Sequence, residues 1–188
     1  MTELPTSFPE VRLLVLDVHQ DARGAFVETF RRSRYAALGI DVDFVQDNLS
    51  CSAAGVLRGL HYQLRSPQAK LVQVLRGAVY DVVVDIRIGS PDFGRWFGVE
   101  LSEGNHQQLY VPPGFAHGFC VRSADGADVL YKVSSEYAPD DEQVIAWNDP
   151  ALAIPWGVTA PLLSPRDAAA RPLAAMAPYL PRYRAVAG

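Results

Sequence analysis

Two of the chain's four histidines sit in polar company, His61 within Val56-Leu-Arg-Gly-Leu-His-Tyr-Gln63 and His117 within Val111-Pro-Pro-Gly-Phe-Ala-His-Gly118. An imidazole titrates near neutrality, so either could take or give a proton. A histidine in an apolar strand is more often a hydrogen-bonded core residue; the neighbours here shift the balance toward chemistry. On a regular strand Arg58 and His61 would point to opposite faces, because side chains alternate with a period of two. Gly59 between them offers a bulge, which would re-aim one side chain and let both reach one pocket. Other polar residues keep phase unaided: Gln46 with Asn48, His61 with Gln63, and Tyr131 with Val133, Ser135 and Tyr137. Such groups line a barrel interior or mark the solvated side of a half-buried sheet. Asp81 and Asp85 also share a face, where acids either meet solvent or fix partners such as histidines.

Metal chemistry is disfavoured. Barrels that hold iron, manganese or zinc do so through several imidazoles and a carboxylate. Here the place of a His-x-His pair reads His61-Tyr62-Gln63. No metal ligand set is assigned.

Short strands must position these residues. The run 71–87 holds two β-rich stretches separated by Arg76-Gly77, which reads as a hairpin, with Tyr80, Val82, Val84 and Ile86 on one face. Further strands are expected at 11–17, 26–30, 44–50, 56–63, 96–101, 107–111, 117–122 and 128–137. Many short strands at close spacing mean an all-β sandwich or barrel. Helical pattern is confined to Arg31–Leu38, ended by Gly39, and to an Ala-rich tail from Arg166 to about Met176 with Ser164-Pro165 as cap and first turn. The tail after Pro178 is expected to be loosely held.

The 188 residues, 49% hydrophobic, suffice for one domain, taken as 1–188. Seventeen basic and 21 acidic residues are interspersed, leaving no basic stripe for a nucleic-acid backbone. No apolar run reaches bilayer-spanning length and none reads as a secretory leader, so no membrane role is expected. Cys51 and Cys120 are too few for a disulfide framework, which suits a reducing cytoplasm.

Several ordered segments resemble the dTDP-4-dehydrorhamnose 3,5-epimerase family of cupin-like barrels. They are Asp21-Ala-Arg-Gly-Ala-Phe-Val-Glu28, Gln46-Asp-Asn-Leu-Ser50, Gly55-Val-Leu-Arg-Gly-Leu-His-Tyr-Gln63 and Gln68-Ala-Lys-Leu-Val72. Downstream come Asp81 to Gly94, Val111 to Gly118, Tyr137-Ala-Pro, Ile145-Ala-Trp-Asn-Asp-Pro150 and Leu163-Ser-Pro-Arg-Asp167, so the resemblance runs from about residue 12 to 173. It implies a cupin-like jelly-roll barrel of two antiparallel sheets with a few short peripheral helices. It also implies inversion of C3 and C5 of dTDP-4-dehydro-6-deoxy-D-glucose without a cofactor, in a homodimer. An N-terminal strand exchanged between subunits would bring Arg23 and Glu28 to the neighbour's site. Within the family pattern His61 matches the general base, Asp167 the carboxylate that orients it, Tyr131 the proton donor on the opposite face and Lys70 the residue near the ketone oxygen. Arg23, Glu28, Gln46, Asn48, Arg58, His117, Glu142 and Arg166 match substrate contacts, and Tyr137 an aromatic that stacks on thymine. Two departures stand out: Arg166 replaces the family's usual lysine, and Asp92 a frequent threonine.

The chemistry is coherent. A C–H beside a ketone can be removed by a placed base if the enolate oxygen meets a cation or donor. Inversion then needs an acid across the sugar, and an unperturbed tyrosine, with a pKa of about 10, stays protonated at neutral pH. Single-centre epimerases, 3,4-ketoisomerases, a silent sugar-nucleotide-binding barrel and a metal-dependent cupin are the competing readings.

Overall fold

The computed structural model describes residues 1–184. Its strands are β1 (Thr2–Leu4), β2 (Arg12–Val15), β3 (Val18–Asp21), β4 (Gly24–Val27), β5 (Gln46–Ser52), β6 (Leu57–Gln63), β7 (Lys70–Arg76), β8 (Ala78–Asp85), β9 (Trp96–Ser102), β10 (Gln107–Val111), β11 (Phe115–Val121), β12 (Ala127–Val133) and β13 (Glu142–Val144). Two short helices, α1 (Arg32–Ala36) and α2 (Pro165–Ala168), and a 3-10 turn at Leu173–Tyr179 complete the set. Six strands form one sheet in the order β1-β2-β10-β7-β12-β5, and five form a second in the order β13-β6-β11-β8-β9. All pairings within them are antiparallel. The expected jelly roll is present as a sandwich, since the two sheets are not joined into a closed barrel. A separate hairpin, β3-β4, stands apart from both.

Period-two patterning explains the layers. Val72, Val74, Leu109 and Val129 of the six-stranded sheet meet Val79, Val83, Phe115 and Phe119 of the five-stranded sheet in the central core. The alternate residues Val82, Val84 and Ile86 face outward, as the sequence pattern predicts, under Trp156, Leu173, Met176 and Leu180. On the other sheet, Leu14, Leu71 and Tyr110 are covered by Tyr35 of α1 and Ile40. Strands covered on both faces lose simple alternation and read as near-continuous apolar runs, which is how 79–86 reads.

The expected hairpin at 71–87 does not form. β7 and β8 lie in different sheets, and Gly77 alone joins them. A two-residue loop is the usual minimum for a hairpin. Gly77 has φ +77°, and a Cβ there would lie 2.3 Å from the Gly126 carbonyl oxygen, so this crossing requires glycine.

The Ala-rich tail is also not one helix. Ser164 caps α2, which ends at Ala168. Arg171 then bridges to Ile145, because the residue before Pro172 is pushed out of helical geometry. The segment after Pro178 is held as far as it is described: the Ile88 N–H donates to the Pro181 carbonyl at 2.8 Å, and the Tyr183 N–H to the Ile88 carbonyl at 3.0 Å. Residues 185–188 of that expected loose tail lie outside the described residues. The predicted strand 128–137 stops at Val133, leaving Ser135 and Tyr137 in a loop. β1, β3 and β13 escaped the sequence reading because they are only three or four residues long. The early helix is shorter than expected, and Gly39 follows its end.

Candidate active site

A cavity of about 620 Å³ opens between the two sheets. Register decides what faces it. In β12 and its neighbours, Tyr131 lies opposite Asn48 and Val72, while Val133 lies opposite Gln46 and Lys70. Directly opposed residues project to the same face, so Gln46, Asn48, Lys70 and Tyr131 share the inner side of the six-stranded sheet. In the other sheet His117 opposes His61, and Glu142 opposes Gln63, which is in phase with His61.

Arg58 joins them through the expected bulge. His117 pairs with His61 but Phe119 pairs with Arg58, so three steps along β6 match two along β11. The extra residue turns Arg58 onto the face of His61, and both line the cavity. Gly59 has φ +124°, and a Cβ there would lie 2.6 Å from Gly118 Cα. Close approach of two glycine backbones therefore builds the bulge.

His61 and Tyr131 stand on opposite walls. His61 Nε2 donates to Asp167 Oδ1 at 2.6 Å when the imidazole is neutral, which leaves Nδ1 as the acceptor. Asp167 is buried, and burial pushes its carboxyl up. The His61 hydrogen bond and charge, the Ser164 hydroxyl and the Gly59 N–H outweigh burial and hold it below the usual carboxylate range. His117 repeats the arrangement, with Nε2 lying 2.8 and 3.0 Å from the oxygens of fully buried Asp81. Asp85, the other acid of ambiguous role, is instead held by Arg87 and Ser90 and has no histidine partner among the described residues.

Lys70 forms the floor. Burial pushes its amine below the ordinary lysine value, and the charges of Glu142 and Asp81 oppose the shift. Tyr131 moves the other way: burial raises its phenol above the usual tyrosine value, Glu142 adds to the rise, and Arg58 offsets part of it. Burial thus favours the neutral form of both groups: it keeps the tyrosine protonated as an acid, while Glu142 and Asp81 offset part of its effect on the lysine.

The rim is tied across the sheets. Gln46 donates to Asn48 Oδ1 at 2.7 Å and accepts the Tyr137 N–H at 2.9 Å. The Tyr137 hydroxyl donates to Glu142 Oε2 at 3.3 Å. Gln63 accepts the Ala138 N–H and donates to the carbonyls of Ser66 and Glu136, so it shapes the loop bearing Tyr137.

Three expected substrate contacts lie off the cavity. Arg166 grips Glu142 through both its carboxylate and its carbonyl. Arg23 occupies the exposed turn of the β3-β4 hairpin and pairs with Asp21, while Glu28 pairs with Arg31 and Arg34. Gln68, Ser50 and Cys51 line the cavity without having been singled out as contacts. Gln68 opens one of the family-like segments, and Ser50 continues the phase of Gln46 and Asn48 along β5, a signal that period two could have given, whereas Cys51 lies on the alternate, exposed face of that strand. No group of three or more His, Cys, Asp and Glu side chains among the described residues is placed to hold a metal ion. None of the described helices is long and apolar enough to cross a membrane.

Comparison with known proteins places this geometry. A family model described as dTDP-4-dehydrorhamnose 3,5-epimerase matches residues 5–175. The Pseudomonas aeruginosa enzyme of that name is 50% identical over 163 residues, covering 86% of this chain and 90% of that protein. The Neisseria gonorrhoeae counterpart is 52% identical over 91% of this chain, which spans about half, 52%, of that longer protein. Among solved structures, the Legionella pneumophila dTDP-6-deoxy-D-glucose-3,5-epimerase in complex with dTDP-4-keto-L-rhamnose superposes with a TM-score of 0.95 at 50% identity, covering 98% and 99% of the two chains. A 3'-monoepimerase from Streptomyces bikiniensis in complex with dTDP-quinovose gives a TM-score of 0.89 at 39% identity over 95% of this chain and 92% of that one. Matched by the family model over most of its length and half identical to enzymes of that name, the chain belongs to the dTDP-4-dehydrorhamnose 3,5-epimerase family.

Proposed function

We propose that this isomerase converts dTDP-4-dehydro-6-deoxy-D-glucose to dTDP-4-dehydro-L-rhamnose by inverting C3 and C5 through enolate intermediates. The observation that carries the reading is the opposition of His61 and Tyr131 across one cavity, each on a different sheet. The C4 ketone acidifies the hydrogens of both adjacent carbons. His61 Nδ1 takes the proton from one face, since Nε2 is committed to Asp167. The electron pair moves toward C4, and the oxygen that becomes an oxyanion is stabilised by the Lys70 ammonium. Tyr131 then delivers its phenolic proton to the other face. The carbon is inverted, His61 holds one proton more and Tyr131 one fewer, and exchange with solvent restores both before the second centre reacts.

Arg58 is a natural partner for the diphosphate, Tyr137 for the thymine ring, and Gln46, Asn48, His117 and Glu142 for sugar and base polar groups. The same reading makes the protein a cytoplasmic homodimer, with the β3-β4 hairpin lending Arg23 and Glu28 to the neighbouring cavity. Gel filtration should show a dimer across the concentration range of the assay; a fully active monomer would contradict the shared site. The solved monoepimerase of the same fold favours one second reading, inversion at a single centre.

Tyr131→Phe separates abstraction from delivery. It should retain exchange of substrate hydrogen with solvent while net inversion falls at least about a hundredfold. Equal loss of exchange and inversion would remove the tyrosine from its assigned place.

A further inference from the structure

Asp167 must present one oxygen to His61 and hold it there, and the residue that fixes it is not part of the cavity. Ser164 precedes α2 in extended geometry, with φ −68° and ψ 157°. Its hydroxyl oxygen accepts the Asp167 N–H at 3.0 Å, and its hydroxyl proton is directed at Asp167 Oδ2 at 2.9 Å. The carboxylate is thereby secured on both sides: Oδ1 receives His61 Nε2 at 2.6 Å and Oδ2 receives the Ser164 hydroxyl.

The frame around Ser164 comes from the strand that carries the base. The Leu57 N–H donates to the Leu162 carbonyl at 3.0 Å, and the Leu162 N–H donates to the Gly55 carbonyl at 2.9 Å. Serine, aspartate and histidine are thus registered against one strand, with little freedom for α2 to slide. An Asp167 carboxylate anchored only at the imidazole could rotate about its terminal torsion, which is broad and roughly two-fold. Rotation would swap or lengthen the bond that selects the His61 tautomer.

We infer that Ser164 is a positioning residue of the base: its hydroxyl locks the Asp167 carboxylate, which in turn keeps the proton of neutral His61 on Nε2 and Nδ1 open toward the substrate. This rests on the assignment of His61 as the proton acceptor. The alternative role, helix capping alone, is separable because glycine replaces serine at an N-cap with little loss, whereas alanine does not.

The test uses Ser164→Gly, Ser164→Ala and Ser164→Thr in the full chain. Kinetics with dTDP-4-dehydro-6-deoxy-D-glucose should show kcat reduced about tenfold in both the glycine and alanine variants at unchanged KM, as expected for loss of one hydrogen bond to a charged group. Threonine, which keeps the hydroxyl, should restore the wild-type value. In an Asp167→Ala background, Ser164→Ala should have no further effect, because there is no carboxylate left to orient. Imidazole nitrogen NMR of the free protein should report one His61 tautomer, protonated at Nε2, in the wild type and a mixture in Ser164→Gly. Unchanged kcat and tautomer in Ser164→Gly, with losses confined to Ser164→Ala and accompanied by a lower Tm, would reduce Ser164 to a cap and overturn the inference. An equal loss in the presence and absence of Asp167 would overturn it too. Should the wild type neither exchange nor turn over this substrate, the epimerase reading fails, and the tautomer measurement still decides the role of Ser164.

Discussion

His61→Asn should abolish both exchange of substrate hydrogen with solvent and turnover, with kcat lowered at least about a thousandfold, near the upper range for loss of a general base. Asparagine matches much of the imidazole's reach and still offers a donor to Asp167, but it has no basic nitrogen to turn toward the sugar. Substrate binding should change little, because the cavity retains Arg58, Lys70, His117 and the rim residues. Titration of the variant with dTDP, compared with deuterium exchange in the same sample, separates the two effects. Normal exchange in His61→Asn would mean that another group takes the proton, and His117, whose Nε2 is likewise paired with a buried carboxylate, would be the first to examine.

Lys70→Met should lower kcat about a hundredfold or more with a small change in KM, the pattern expected when a donor to a developing oxyanion is lost. Methionine keeps length and packing within the apolar part of the wall while removing the charge. The pH profile adds a second signature. Burial moves Lys70 below its ordinary value and Tyr131 above its own, so the basic limb of the wild-type profile should reflect loss of the lysine charge. The sign follows from the direction: a depressed lysine loses its proton at lower pH than a free one, so activity should decline on the alkaline side before an exposed lysine would titrate. Lys70→Met should lack that limb. If the variant keeps both full kcat and the basic limb, the ammonium does not face the enolate oxygen.

The two variants probe different sheets, and sequence legibility divides in a related way. His61 and Arg58 could be read as pocket neighbours because Gly59 between them signals a bulge, and the register confirms one. Gln46, Asn48 and Tyr131 were legible only as in-phase polar groups, for which a barrel interior and a solvated face both stayed open, and the register puts them on the cavity side. The pairing of His61 with Asp167 was not legible from spacing, since 106 positions separate them and only the folded segment after Leu162 brings them together. It came from family resemblance alone. The same resemblance put Arg166 on the substrate, yet the guanidinium engages Glu142, a partner that no local pattern could specify.

The errors in the fold have physical causes. Residues 71–87 look like a hairpin because two β-rich runs flank a glycine, but pattern does not say which sheet each strand joins. A single residue, Gly77, carries the chain between layers. The Ala-rich tail has helical propensity, but propensity is a weak prior against tertiary context. Pro172 and the pairing of Arg171 with Ile145 break it into two pieces. Arg23 and Glu28 sit on a hairpin unpaired with either main sheet, and within one chain they satisfy only local ion pairs. Their assignment to a substrate site rests on the proposed second copy, and within one chain they lie off the cavity.

Deuterium incorporation tests the central claim most directly: the protein is incubated with dTDP-4-dehydro-6-deoxy-D-glucose in heavy water, and C3 and C5 are followed by NMR. Base and acid on opposite walls, serving both carbons beside the ketone, predict label at C3 and C5 with inverted configuration at each. Label and inversion at one carbon alone would contradict the double inversion, and a folded protein that incorporates none would contradict the enzyme itself.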